Sequence, residues 1–257
     1  MALADSWQHA AVVAGSTMAA AVVQSISSFG FGLVLLALLP LVGTAVRDAV
    51  VLVTLLVVPN LAIAVWRLRR RVDLRQVGWL LLGVPVGIPP GLYLLAEGPE
   101  WAVRGALGAV LIVAAIEPFF RERVPRGHGS RGWAFVAGAC SGALGAALST
   151  GGPPVVLYFY RLGLGKEKTK ACVMATFVGT VAMRLVAYVA QTPLTGKALL
   201  TSSLLLQAAA YCPAVIAGTA MGERAFGSVS QRGFRAAVAV ILAICGLYQL
   251  CKAAGLA

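Results

Sequence analysis

Charge is scarce in this chain: Lys, Arg, Asp and Glu together make up 12% of its 257 residues, about half the share of a soluble domain. With 60% hydrophobic residues and a mean hydropathy of +0.88, the composition excludes a soluble globule and points to an integral membrane protein. Acid is scarcer still, with 9 Asp and Glu against 21 Lys and Arg. Asp5, Asp48, Asp73, Glu97, Glu100, Glu122, Glu167 and Glu223 fall at the ends of apolar runs or between them, and Glu117 is one turn from an end. No acid is placed for a proton relay inside the bilayer, although symport of a proton with a titrating anion would need none. Histidine is limited to His9 and His128, and Cys140, Cys172, Cys212, Cys245 and Cys251 show no metal-ligand spacing, so neither a metal site nor a disulfide framework is expected. A Gly-x-Ser-x-Gly elbow, a Walker-type loop and a His-rich cluster are all missing, which argues against an enzyme and against a cofactor. The net charge of +12 does not imply a nucleic-acid partner, because the cations sit in a few clusters between apolar runs and form no basic helix face. They read as positive cytoplasmic loops. No Lys or Arg precedes Arg47, so the positive start of a cleavable signal is missing and the N-terminus is expected to be kept.

The apolar runs are what the chain has in abundance. Residues 8–24 and about 31–46 form arms of 17 and 16 residues, slightly short of the roughly 20 that span a bilayer, and they predict a re-entrant or tightly folded helical hairpin. Spans at 47–66, 77–96 and 101–119 follow. A second hairpin (133–148 and 153–164) and spans at 171–190, 198–221 and 234–251 complete ten membrane segments. The loop from Arg67 to Arg75 is the most basic in the chain and is placed in the cytoplasm; alternation then puts both termini outside. The polar stretch 121–132 separates a first membrane repeat (1–120) from a second (133–257).

Each hairpin is interrupted by small, hydroxylated, helix-breaking residues: Gln24-Ser25-Ile26-Ser27-Ser28-Phe29-Gly30-Phe31-Gly32 and Ser149-Thr150-Gly151-Gly152-Pro153-Pro154. Such breaks at membrane depth are tolerated only where protein or an aqueous cavity satisfies the backbone. A shift of 122 residues sets Ser27 on Ser149, Ser28 on Thr150, Gly30 on Gly152 and Trp66 on Tyr188. Loops that correspond under this shift carry opposite charge signals. The basic Arg67 to Arg75 loop matches the uncharged turn Gln191 to Thr195, and the acidic Glu97/Glu100 turn matches the basic stretch Arg224 to Arg235. The expected architecture is therefore an all-α polytopic membrane protein of two inverted repeats, each a broken hairpin plus three transmembrane helices. In that plan a substrate site lies near the midplane where interrupted helices meet.

Candidate ligands of such a site follow from chemistry. Helix N-termini at the two breaks offer N–H groups and a positive dipole end to an anion, which selects Gln24, Ser27, Ser28, Gly30, Ser149, Thr150, Gly151, Gly152 and Pro153. Pro153 and Pro154 suit the first turn of a helix, where no N–H is needed. Arg184 is the only basic residue well inside a span; it either neutralises an anion in a cavity or snorkels to the outer interface. Arg104 is one turn into its helix and is expected to snorkel. Asn60, after Pro59, either caps a kink or coordinates a ligand. Gln207, Tyr158, Tyr188 and Tyr211 are read as interhelical hydrogen-bonding groups, and Gly138, Gly142 and Gly145 as close helix-packing positions.

The Gln24-Ser25, Phe29-Gly30-Phe31-Gly32 and Pro40 pattern, together with Gly151-Gly152-Pro153-Pro154-Val155-Val156-Leu157-Tyr158, resembles the TauE/SafE sulfite exporter family, also called the toluene-sulfonate uptake permeases. The resemblance covers nearly the whole chain through loose Gly/Pro motifs. It implies a bacterial inner-membrane carrier of small sulfur-containing anions, sulfite or organosulfonates, working by alternating access in a lipid bilayer. An anion channel of the same fold, or a carrier of another small organic anion such as a carboxylate, remains the alternative. Ser27, Ser28 and Phe29 depart from the glycine-richest form of the first motif and leave the shape of that pocket open. Self-association is left open as well.

Overall fold

The computed structural model describes residues 2–120, 129–195, 198–225 and 231–255. Ten helices follow one another, and no strand occurs among the described residues. They are α1 (Ala2–Ser27), α2 (Phe31–Leu38), α3 (Val46–Leu68), α4 (Leu74–Glu97), α5 (Glu100–Phe120), α6 (Arg131–Leu148), α7 (Gly152–Arg161), α8 (Lys166–Thr195), α9 (Ser202–Ala225) and α10 (Gln231–Ala253). Tight 3-10 turns, Leu39–Val42 and Arg69–Arg71, extend α2 and α3. Among the described residues five helices are long and apolar enough to cross a bilayer, so the all-α polytopic architecture expected from the sequence is present. The stretch 121–128 of the expected linker lies outside the described residues.

Most helices fall close to the expected segments, but α2 stops at Leu38, short of the expected 46 even with its 3-10 turn to Val42, and α8 runs from Lys166 to Thr195, beyond the expected 171–190 at both ends. The largest difference at a helix start is in α1. It begins at Ala2 rather than near residue 8 and reaches 26 residues, so this arm is not short. Asp5, Ser6, Gln8 and His9 end the apolar run, but no Gly or Pro there stops a helix. The returning arms are genuinely short, at 8 residues for α2 and 10 for α7. Neither can span, and each is enclosed by protein. Phe31, Leu33, Val34, Leu35, Leu36 and Ala37 of α2 are buried, as are Val155, Val156, Tyr158 and Phe159 of α7.

Small residues set how the long helices meet. Gly83, Gly87 and Gly91 of α4 lie in order against Phe135, Ala139 and Ala143 of α6, while Gly138 and Gly142 of α6 press on the Leu80 and Val84 carbonyls. The two helices therefore run parallel, with backbones in direct contact at the small-xxx-small spacing read from the sequence. Gly218 and Gly222 of α9 seat on Met18 and Val22 of α1 in the same parallel sense. Helix α5 instead runs antiparallel to α10, since Gly105 meets Ala253, Gly108 meets Leu250 and Gly246 meets Ile112. Advancing every helix by five places turns the α4–α6 contact into α9–α1, α3–α9 into α8–α4, and α1–α2 into α6–α7, and each of these contacts exists.

Basic side chains gather at one end of the bundle. Arg71 pairs with Glu167, Lys168 with Asp73 at 3.2 Å, and Arg67 approaches Glu223 at 3.8 Å. At the same end Arg131 lies over Trp79 and Arg161 over Trp133. Asp73 also accepts from the Gln76 N–H as the N-cap of α4. Burial opposes its ionisation, but that bond and Lys168 outweigh the burial and hold its carboxyl below the usual aspartate range. At the opposite end Arg104 reaches back one turn to the exposed Glu100 at the start of α5, binding it through Nε and Nη2 at 2.8 and 2.6 Å.

A methyl group on Gly87 would overlap the Ala139 carbonyl oxygen, whereas one on Gly78 in the same helix would meet open space. Thermal unfolding in detergent should show Gly87→Ala destabilised by about 2 kcal/mol or more. Gly78→Ala should be neutral or stabilised by up to about 1 kcal/mol. Equal behaviour of the two variants would contradict the α4–α6 seam.

Candidate functional site

Both breaks open onto one small cavity. In the first, the chain leaves α1 through Ser28 at φ 71° and enters α2 through Gly30 at φ 109°, a left-handed value that favours glycine. The Gln24 side chain spans the gap, its Oε1 accepting from the Phe31 N–H at 3.0 Å. In the second, Ser149 sits at φ 50°, a left-handed conformation that costs a non-glycine residue roughly 1–2 kcal/mol. Its surroundings hold it there. The Ser149 N–H donates to the Gly145 carbonyl at 2.8 Å. Its Oγ donates to the Val50 carbonyl at 2.8 Å and lies 2.7 Å from the Thr54 hydroxyl. Ser141 Oγ donates to the Gly151 carbonyl at 2.8 Å, so Ser149 and the Gly151 carbonyl find partners within the protein, as membrane depth demands.

The two breaks touch. Gly32 is packed so tightly on the Ser149 carbonyl that a methyl group would overlap it, and Gly152 faces Phe29. Between them lies a cavity of about 50 Å³ lined by Gln24, Phe29 to Leu33, Ser149 to Gly152 and parts of α3, α6 and α8. Val57, in its wall, is the central residue of α3, and Thr180 and Val181 straddle the centre of α8. The cavity thus stands half-way along two long helices, with the N-termini of α2 and α7 both at its edge.

Arg184 completes the wall from α8. It is 3% exposed, so its side chain runs into the protein and does not snorkel. Its Nη1 donates to the Gly145 carbonyl, and Tyr188 OH donates to the next carbonyl, Ala146, at 3.3 Å. The cation therefore rests on the negative, C-terminal end of α6. Among the described residues no acidic side chain lines the cavity. Arg184 Nε and Thr150 Oγ1 are both buried without a hydrogen-bond partner, and Gln24 Nε2 reaches the Met174 sulfur at 3.9 Å. Buried polar atoms are normally satisfied. Two orphaned groups around a charge with no counter-acid describe a space suited to a small oxyanion.

Not every residue chosen from the sequence is brought here. Gln24, Gly30, Ser149, Thr150, Gly151, Gly152 and Arg184 line the cavity, and Ser27, Ser28, Pro153 and Asn60 do not. Ser27 Oγ is consumed locally by the Val23 and Phe29 carbonyls, and Ser28 forms the left-handed corner. Pro153 and Pro154 face an apolar recess between α5, α6 and α7. Asn60 Nδ2 donates to Thr219 Oγ1 at 2.8 Å, tying α3 to α9. The structure adds Ser141, Gly145, Phe177 and Thr180 to the lining. Helical spacing carried that signal, because Ser141, Gly145 and Ser149 recur every fourth residue, as do Thr180 and Arg184. Gly145 departs from the packing role of Gly138 and Gly142: it makes room for the guanidinium, with Arg184 Nη1 3.3 Å from where a methyl would stand.

Gly32→Ala would drive the Ser149 carbonyl away and part the two breaks. The variant is expected to melt at lower temperature than the parent and to lose any stabilisation by small oxyanions in a thermal-shift assay. An undiminished anion shift would show that the two breaks do not form one site.

Comparisons with known proteins identify the family. The family model described as "Sulfite exporter TauE/SafE" matches residues 13–249. The "Probable sulfite/organosulfonate exporter TauE" of Cupriavidus necator is 23% identical over 205 residues, covering 78% of each chain. No solved structure matches. With both breaks and the cavity-lining residues inside the matched range, the chain belongs to the TauE/SafE sulfite exporter family.

Proposed function

We propose that this membrane protein carries a small sulfur oxyanion, sulfite or a compact sulfonate, by alternating access around the cavity between the two breaks. The observation that carries the proposal is Arg184: a cation buried near mid-membrane, with an unpartnered Nε, no acid beside it and two helix N-termini across a small space. A bound oxyanion would accept from Arg184 Nε and Thr150 Oγ1 and from Gln24. It would share the positive ends of α2 and α7, so that fixed protein donors replace its hydration shell. The volume favours a compact ligand. At about 10–15 Å³ per water, the cavity has room for about four non-hydrogen atoms, which suits sulfite and leaves no place for an aryl group unless the site opens.

The antiparallel run of α5 against α10 and the recurrence of contacts on a five-helix shift support two inverted repeats, 1–120 and 133–257. In such a pair, rocking one half against the other exposes the same site to either face. Placing the basic end in the cytoplasm puts both termini on the outer face.

Proteoliposomes loaded with labelled sulfite test the reading. The parent should show saturable flux and counterflow, and Arg184→Ala should lower flux at sub-saturating sulfite by roughly tenfold or more, the worth of a lost charged hydrogen bond. Full transport by Arg184→Ala would remove the site assignment. Flux that neither saturates nor shows counterflow would identify a channel.

A further inference from the structure

On the side of the cavity toward the basic end, a column of polar groups leads away from the anion site. Gln24 lines the cavity, and the next residue, Ser25, turns from it. Ser25 Oγ lies 3.4 Å from Asn60 Nδ2, which also donates to Thr219. The Ser25 carbonyl accepts from Lys170 Nζ at 2.8 Å, and the same ammonium donates to Glu223 Oε1 at 2.8 Å. Glu223 was grouped by sequence with the loop and end acids. It belongs to the last turn of α9, where its side chain is 18% exposed and that of Lys170 is 4%. Beyond it stands Arg67, half exposed. The column thus runs from the middle of the membrane to the basic face, and it draws on α1, α3, α8 and α9.

The opposite face carries a different contact at the corresponding place. There Arg47, in the first turn of α3, donates to the Gly98 carbonyl at the end of α4. Its counterpart under the five-helix shift is Lys170, near the start of α8, bound to Glu223 near the end of α9. One face uses a backbone carbonyl where the other uses a carboxylate. A carboxylate on an ammonium occupies the place that a travelling oxyanion would take.

We propose that this column is the path of the anion between the cavity and the basic face, with the Lys170–Glu223 pair as its gate and Lys170 as a second, transient oxyanion-binding group. The proposal rests on the transport reading above. Closed, the pair ties α9 to α8 and, through the Ser25 carbonyl, to the end of α1. An anion leaving Arg184 replaces the Glu223 carboxylate on Lys170, and the freed carboxylate repels it toward Arg67. One ion pair is exchanged for another, so the buried ammonium is never left unpaired, which would be the costly state.

The test is the reaction of a thiol introduced by Thr180→Cys, in the cavity wall, with a membrane-impermeant maleimide applied from either face and corrected for the parent protein. Glu223→Gln keeps an amide oxygen on Lys170 but removes the opposing charge. It should raise the labelling rate from the basic face about tenfold and leave the rate from the other face unchanged. Unchanged rates, or equal increases from both faces, would overturn the gate. The exchanged pair Lys170→Glu with Glu223→Lys should return the rate toward that of the parent, and failure to do so would assign the two residues to folding alone. If Glu223→Gln does not accumulate, Glu223→Asp should show an intermediate increase, and no increase would again overturn the proposal. Labelling needs no substrate, so absent sulfite flux in the parent would defeat the transport reading while the gate is judged separately.

Discussion

Backbone hydrogen bonding inside the bilayer is the constraint on which the rest of this structure depends. A helix that stops half-way across a membrane exposes N–H and C=O groups that no lipid can satisfy. Here two helices stop there, and the protein meets the demand by bringing the two interruptions into contact. Gly32 against Ser149, the Gln24 amide over the Phe31 N–H, and the Ser141 and Ser149 hydroxyls on neighbouring carbonyls are all answers to that demand. The glycine seams between α4 and α6 and between α1 and α9 hold the surrounding helices close enough for the contact to form.

Once the breaks are closed on each other, the charge of Arg184 becomes intelligible. A lone guanidinium in this position is expensive. The carbonyl end of α6 offsets part of that cost, and the remainder sets up an attraction for an anion. Hydroxyl, amide and helix-end donors converge on the same space without an acid to compete. On the proposed reading, such a site recognises charge and compactness before it recognises sulfur, and discrimination among oxyanions depends on size and on the few oriented donors.

The sequence already revealed much of this. Hydropathy located ten segments, the paired Ser/Gly interruptions located the breaks, and the isolation of Arg184 within an apolar span marked it as the cation of interest. Other features were hidden for physical reasons. Polar residues near the start of α1 end the hydropathy signal without ending the helix. Ser27 and Ser28 share the chemistry of Ser149 and Thr150, but the local turn consumes one and places the other at a corner, which residue type cannot disclose. Pro153 has the right neighbours in sequence and the wrong face in space. Asn60 and Thr219 are partners at long range, and a single sequence does not show which distant polar residues meet.

The direct measurement is the position of a bound anion. Selenite has the shape and charge of sulfite and scatters anomalously at the selenium edge, so crystals of the protein grown with it would report the site without altering a residue. The account predicts one principal peak in the cavity, within hydrogen-bonding reach of Arg184 and Thr150 and between the N-termini of α2 and α7. A peak confined to the basic loops, with the cavity empty at saturating selenite, would contradict it.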